Sequence, residues 1–438
     1  MIMEKVKYCR EVEVAGKFDV VVAGSGPAGL AAAVTSARAG MKTALVERYG
    51  VLGGNLTSGL VGPIMGSVSS GTIADEIEKK LGIWNNWCEH DVEDAKRLFI
   101  EMAVNAGVDV YLQTSVVDVL MNGDTIDGLV VASKSGLEVI KGRIFVDATG
   151  DGVVSYMAGA ECMMGRDSDN LVQPATLMFI ISNVDDDKVI DCGKEDYPEG
   201  TPEHKFVELC KQKSLEGELP SNVSIVRLYK TIRKGERMIN ATQANYINGL
   251  DHSDICKAEV DLRKQIDKVV DFLRKYMPGC ENCYVKESSN TLGIRESRRV
   301  KGMYVMKDED LIEGRKFEDV VVHNAVFVID IHNPAGGGQA EGVADSTPIG
   351  AAAKVKPYDI PYRCFVPVKV GNLYTAGRCI SGTHRAHASY RVMKICMAMG
   401  QAVGTAAGLC VQKGSKPGEL DYRLVQKALV KQGVNLFD

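Results

Sequence analysis

Between Phe18 and Glu47 the apolar residues fall into two dense blocks separated by an alanine-rich stretch. Val20, Val21 and Val22 form an unbroken apolar run, the pattern of a strand buried on both faces of a parallel sheet. Pro27 pre-sets the backbone of a first helical residue, Leu30 to Ala39 supplies a small-residue helix body, and Gly40 suits the position just past its end. Met41 to Val46 then reads as a second strand. From Val110 to Val131 apolar and polar positions alternate around Asn122-Gly123-Asp124, which predicts antiparallel hairpins. Ile144 to Ala148 and Asn372 to Ala376 are two more short buried strands, the second leading into Gly377, a loop and a long helix of small residues. The middle of the chain differs: it holds most of the polar loops and one charged helix, Asp254 to Tyr276, stopped by Pro278-Gly279. The pattern predicts an α/β chain. A Rossmann-type domain with a parallel sheet is expected from residues 1–155 and 361–438, with an inserted α+β substrate or cap domain at 156–360.

The 438 residues are 45% hydrophobic and 25% charged, enough for two or three full cores. A net charge of -5 and the lack of a Lys/Arg-rich run argue against nucleic acid as a partner. Met1 to Arg10 has no apolar core of the signal-peptide kind, so none is expected. Val392 to Val411 is apolar apart from Lys394 and Gln401, but its Gly/Ala content predicts a buried helix, and no membrane partner is expected. Twelve cysteines without a framework suit a reducing cytoplasm. Cys280 and Cys283 form a lone CxxC with no second pair or nearby His to complete a metal site, so no metal is expected.

Gly24-x-Gly26-x-x-Gly29 follows a strand and opens a helix. The first glycine permits the tight turn, the second lets backbone approach a pyrophosphate, and the third lets helix pack on strand. Glu47 closes the second strand 18 residues after Gly29, where a carboxylate accepts hydrogen bonds from an adenosine ribose. The combination predicts a bound dinucleotide. Three further turns favour FAD over NAD: Gly53-Gly54-Asn55-Leu56-Thr57-Ser58, Ala148-Thr149-Gly150-Asp151, and Tyr374-Thr375-Ala376-Gly377-Arg378. Together they suit one long ligand contacted from several strand ends.

With Arg295-Glu296-Ser297-Arg298-Arg299 and the tail through His384, His387, Ser389 and Arg391-Val392-Met393 to Gly400 and Gly404, these motifs resemble FAD-dependent oxidoreductases. The resemblance is to the succinate dehydrogenase/fumarate reductase and glutathione reductase superfamily, in a bacterial branch. It covers most of the chain and is weakest from Asp185 to Ser289. It implies a pyrophosphate against Gly24, Gly26, Pro27, Ala28, Gly377 and Arg378, with Glu47 and Arg48 at the ribose. It further implies Val116 beside adenine and Val392 and Met393 beside the flavin pyrimidine. A helix N-terminus there would stabilise the negative charge that develops when the ring takes up hydride. Gly400, Gly404 and Gly408, four apart, predict a smooth helix face that packs on the sheet. Two departures are informative. No His lies between Lys17 and Trp87, so a non-covalent FAD is expected, and no second GxGxxG offers a nicotinamide site. Gly336-Gly337-Gly338 lacks a following helix pattern and is expected to be an irregular loop.

Candidate catalytic groups are His384, His387 and Arg391, with Arg385, in the loop entering the last helix, and Arg363 in Tyr362-Arg363-Cys364. Arg295, Arg298 and Arg299 form the densest cationic cluster, and His332 ends the apolar run 326–331. Several arginines around a flavin suit a carboxylate-bearing small-molecule substrate. The expected function is hydride transfer between a small anionic metabolite and FAD. Two alternatives stay open: a flavoprotein subunit relaying electrons in a complex, and an FAD enzyme with a non-redox, hydratase-like reaction. Assembly into a homo-oligomer is left open too.

Overall fold

The computed structural model describes residues 6–83, 90–338 and 354–437. Its strands are β1 (Glu13–Ala23), β2 (Thr43–Val46), β3 (Asp109–Tyr111), β4 (Ser115–Asn122), β5 (Thr125–Ser133), β6 (Gly136–Asp147), β7 (Cys162–Met164), β8 (Phe179–Ser182), β9 (Arg227–Lys230), β10 (Glu236–Asn240), β11 (Tyr284–Ser288), β12 (Arg298–Val300), β13 (Val320–Ala325), β14 (Tyr358–Pro361) and β15 (Leu373–Thr375). Its α-helices are α1 (Pro27–Arg38), α2 (Ile73–Leu81), α3 (Val92–Asn105), α4 (Val153–Met157), α5 (Pro202–Leu215), α6 (His252–Tyr276), α7 (Asp308–Glu313), α8 (His384–Tyr390), α9 (Met393–Lys413) and α10 (Tyr422–Lys431).

The large sheet runs β3-β2-β1-β6-β5-β4, with β15 paired to β6. β1, β2, β3, β6 and β15 are mutually parallel where they pair, while β4, β5 and β6 form an antiparallel meander. The apolar run at its centre explains why both faces are covered. Val20 and Val22 point into one core with α1 and α9, and Val21 points into the other with Phe145 and Leu129. The hairpin expected over Val110–Val131 forms only between β4 and β5. Val110 instead lies in β3, parallel to β2, because Tyr111 follows directly on a helix-to-strand crossover from α3.

A second sheet, β11-β8-β10-β9, is wholly antiparallel and has its own core. α6 covers it with Leu262, Ile266, Val269, Val270 and Leu273, a helical spacing that puts one apolar face inward. Asp251 caps α6 by accepting from the Ser253 and Asp254 amides. Cys280 and Cys283 lie fully buried in this core as free thiols. Met306, Leu311, Val321, Val322, Tyr358 and Ile360 pack instead into the first core, so this part of the middle region is built into the large-sheet layer.

α9 is long and apolar enough by composition to cross a membrane, but 89% of its apolar window is buried inside the protein. Its glycine face packs on α1, not on the sheet as the spacing suggested. A Cβ on Gly400 would lie 2.0 Å from the Ala28 carbonyl oxygen, and one on Gly404 would lie 2.4 Å from that of Ala32. At Gly408 the nearest atom is 3.5 Å away, an ordinary contact, so nothing there demands glycine. Asn333 to Gly338 is an irregular turn, held by the Asn245 amide on the Asn333 and Gly336 carbonyls.

Candidate cofactor and substrate cavity

A cavity of about 770 Å³ opens where the parallel strands end. That location, outside the carboxyl ends of parallel strands, is where open α/β sheets hold ligands. Gly24, Ser25, Gly26, Pro27 and Ala28 line it from the β1–α1 turn, and Glu47 and Arg48 from the end of β2. Gly54 and Asn55, Val116 of β4, and Ala148, Thr149 and Gly150 after β6 continue the wall, joined by Gly377 and Arg378 after β15 and Val392 and Met393 at the start of α9. Separate glycine turns thus converge on one elongated space.

The local geometry explains the residue types. Gly24 has φ +91°, a left-handed conformation that penalises any side chain. A Cβ on Gly29 would sit 1.8 Å from the Gly24 carbonyl oxygen, so the helix can approach the strand only with glycine there. Gly26 has nothing within 4 Å of where its Cβ would be; that space is the cavity itself. α1 carries no side-chain cap and no acidic residue in its first turn, leaving free amides toward the cavity that suit a pyrophosphate. Glu47, 4% exposed, accepts the Ser25 amide at 2.8 Å and the Ser25 hydroxyl at 2.6 Å on one oxygen, and the Tyr49 amide at 2.8 Å on the other. A carboxylate offers about four lone-pair sites, so this one retains capacity for a ribose hydroxyl while bracing the glycine turn.

Three residues expected at the cofactor do not line the cavity. Gly53 (φ +111°) donates its amide to the Ser25 carbonyl at 2.9 Å and shapes the loop. Thr57 donates to the Leu52 carbonyl at 2.6 Å and is buried. Asp151 accepts from Arg378 at 2.6 Å and from the Ser297 hydroxyl at 2.8 Å, with Arg48 at 3.8 Å. Burial opposes its ionisation, but the Arg378 and Arg48 charges outweigh burial and hold its carboxyl below the usual range. Asp151 therefore orients two arginines that do line the wall.

The far end of the cavity is closed by the second sheet. Arg227 and Tyr229 of β9, Asn240 of β10, Thr176 and Met178 line it, facing Arg295, Phe327, Asp330, His332 and Arg391. Arg391 reaches the Asp330 carboxylate at 3.4 Å, the Asp330 carbonyl at 3.1 Å and the Gln173 amide oxygen at 3.3 Å. His332 Nε2 stands 3.6 Å from Asp330 Oδ2. Burial, then the Arg295 charge, lowers His332 to about 3, so its imidazole is neutral. Burial, then the neighbouring Arg391, lowers the Arg295 guanidinium to about 9, still charged at neutral pH.

Of the candidate catalytic groups, Arg391, Arg295 and His332 line this chamber. His384 and His387 are buried behind it, because α8 turns its polar residues into the protein. His384 Nδ1 pairs with Glu296 at 2.8 Å, and Glu296 also binds Arg299 and accepts the Gln173 amide at 3.1 Å. His387 meets the Tyr390 ring edge-on and is held well below its usual pKa by burial. Arg363 lies outside the cavity, bound to Asp319 at 2.9 and 3.1 Å. Arg385 pairs with Asp308, and Arg298 covers the Tyr156 ring. Sequence reasoning missed Arg227, Tyr229 and Asp330. The available signal was alternation: Arg227 with Tyr229, and Asp330 with His332, are two apart and share a face of extended chain.

A family model described as FAD dependent oxidoreductase matches residues 19–429. Among curated proteins, thiamine thiazole synthase from Desulfosudis oleivorans is 34% identical over 143 residues, 30% of this chain and 55% of that protein. Its counterpart from Methanothermobacter thermautotrophicus is 31% identical over 147 residues, 31% of this chain and 56% of that one. The chain thus spans little more than half the length of these relatives. Among solved structures, a geranylgeranyl bacteriochlorophyll reductase-like protein from Thermoplasma acidophilum aligns over 96% of this chain and 84% of its own, at 13% identity and TM-score 0.49.

Proposed function

Because the chain belongs to the FAD-dependent oxidoreductase family, we propose that it transfers hydride between a small anionic metabolite and an FAD held without a covalent bond. FAD, the cofactor of this family, supplies a two-electron hydride acceptor and donor when bound. The remaining work falls to the chain. The β1–α1 turn and Glu47 hold the nucleotide, and the uncapped start of α9 at Val392 and Met393 offers amides for the ring's developing charge. Arg227, Arg295 and Arg391 recognise the anion, while the second sheet excludes water.

The observation that carries this reading is continuity: one cavity joins the glycine turns to the buried cationic chamber. The electron-relay reading gains nothing from Cys280 and Cys283, whose thiols are sealed in the second core away from the cavity wall. The proposal extends to the succinate dehydrogenase/fumarate reductase and glutathione reductase superfamily, and to a cytoplasmic setting, which the eleven free thiols among the described residues support. The test is an anaerobic titration of the yellow protein with anionic metabolites. At least one should bleach the flavin, and acid should release FAD into the supernatant. A flavin that no metabolite reduces, and that no oxidised metabolite reoxidises after chemical reduction, would overturn the reading.

A further inference from the structure

The chamber charges are not alike. Arg227 is bound to Glu195, and Arg391 to Asp330. Arg295 is different: among the described residues its hydrogen-bond partner is the Pro174 carbonyl at 2.8 Å, and it has no ion pair to a carboxylate. A part-buried guanidinium that shares the Asp330 charge with Arg391 leaves room for a ligand anion, and a carboxylate fits its planar fork with two parallel bonds. His332 is next to it. The two residues share the main cavity and a second void of about 10 Å³, also lined by Arg227 and Asn240.

We propose that Arg295 and His332 are a substrate-recognising pair: Arg295 takes a carboxylate, and His332 exchanges a proton with an oxygen on the neighbouring carbon, so that the substrate couple is a 2-hydroxy acid and its 2-oxo acid. This rests on the hydride-transfer reading and specifies its substrate class. In the oxidising direction the C–H bond breaks with its electron pair, which passes as hydride to bound FAD. The O–H bond breaks with its proton going to His332, and C=O forms. The acid loses two electrons and FAD gains two.

The chemistry of each partner follows from its surroundings. His332 faces Asp330 through Nε2, and burial, then the Arg295 charge and, less, that of Arg227, raise the cost of a positive imidazole. Asp330 Oδ2, 3.6 Å from Nε2, favours the ring proton on that side, and we take Nδ1 as the basic atom. Burial is the larger cause of the low basicity of His332; a carboxylate docking on Arg295 offsets the second cause, the Arg295 charge, and makes the imidazole a better base. Among the described residues, the guanidiniums of Arg227, Arg295 and Arg391 stand against the carboxylates Asp330 and Glu195, an excess of positive charge. An ammonium group would be repelled there, whereas a neutral hydroxyl is admitted; the preference is therefore for hydroxy over amino acids.

The test uses the FAD-loaded protein without oxygen. Lactate and malate, each as both enantiomers, are compared with alanine and aspartate for flavin bleaching, and oxalate, which carries no transferable hydride, is titrated by the flavin absorbance shift. The expected result is bleaching by a hydroxy acid and none by its amino counterpart. Arg295→Gln should weaken oxalate by about tenfold or more. His332→Asn should bind oxalate within about threefold of the parent while slowing bleaching by about a hundredfold or more. If Arg295→Gln fails to hold FAD, Arg295→Lys decides, with weakened oxalate affinity at full flavin content expected. Equal bleaching by amino acids, oxalate affinity indifferent to both Arg295 variants, or an unslowed His332→Asn overturns the proposal. Bleaching by other anions but by no hydroxy acid overturns it and leaves the broader reading standing; bleaching by none removes both.

Discussion

The two ends of the cavity are built from different materials. The end expected to take the nucleotide is mostly backbone: glycine turns at Gly24–Gly29, Gly54 and Gly377 present amides and empty space, with Glu47 bracing the first of them. The chamber end is mostly side chains, delivered by β9, by the segment around Arg295, by the stretch through Asp330 and His332, and by Arg391 before α9. Backbone sites tolerate almost no change in residue size but little depends on charge. Side-chain sites tolerate changes of size yet depend on a balance of buried charges.

That contrast breaks first at Gly29. Gly29→Val places carbon within the space of the Gly24 carbonyl and should abolish FAD retention and cost ~3 kcal/mol or more of stability, read as a colourless, less stable protein. Next comes Glu296→Gln, at the chamber end. It leaves Arg299 and His384 without their carboxylate and should cost about 3–5 kcal/mol in denaturant unfolding, yet FAD stoichiometry per folded molecule should hold. Loss of FAD in proportion would show that the two ends are not separable.

Acid should act through the buried histidines His332, His387 and His90. His332 is lowered from its usual 6.5 to about 3 in the folded chain, so the unfolded chain takes up its proton first as pH falls. Stability is then full above about pH 6.5 and is lost progressively down to about 3, by roughly 3 kcal/mol at pH 4 from this residue. His90, lowered to about 4 by burial, adds a smaller loss of the same sign. His332→Asn should make the measured pH dependence shallower, with the parts from His387 and His90 remaining. A smaller effect is expected at Glu47→Gln, which keeps shape but weakens the ribose and Ser25 contacts; FAD affinity should fall about 10- to 100-fold by equilibrium titration. The smallest belongs to Arg363→Ala. Its guanidinium is half-exposed although Asp319 is buried, so its loss should cost about 1 kcal/mol, with flavin reduction unchanged.

Legibility followed the same division. The glycine-turn end of the cavity was legible in its geometry because its requirements are local: Gly24, Gly26, Gly29 and Glu47 stand at fixed spacing in one strand-turn-helix unit. Even there, Gly53, Thr57 and Asp151 stand behind the cavity wall, since the sequence shows which loop borders a cavity but not which of its residues faces it. The chamber was mostly opaque. His384 and His387 stood in the right loop but on the inward side of α8, a matter of helix rotation that seven residues cannot specify. Arg227 lay in the region of weakest resemblance, on a short strand whose partners are set by antiparallel pairing with β10. The small-residue stripe of α9 identified a close contact correctly in kind, while its partner, α1, depended on tertiary packing.

The separation of roles is tested most directly by a crystal structure of the FAD-loaded protein. The predicted result is one FAD per chain, with its pyrophosphate on the β1–α1 turn, its pyrimidine edge at Val392 and Met393, and the open face of its ring toward Arg295 and His332. Ring density outside the cavity, or a ring whose open face is turned away from those two side chains, would contradict it.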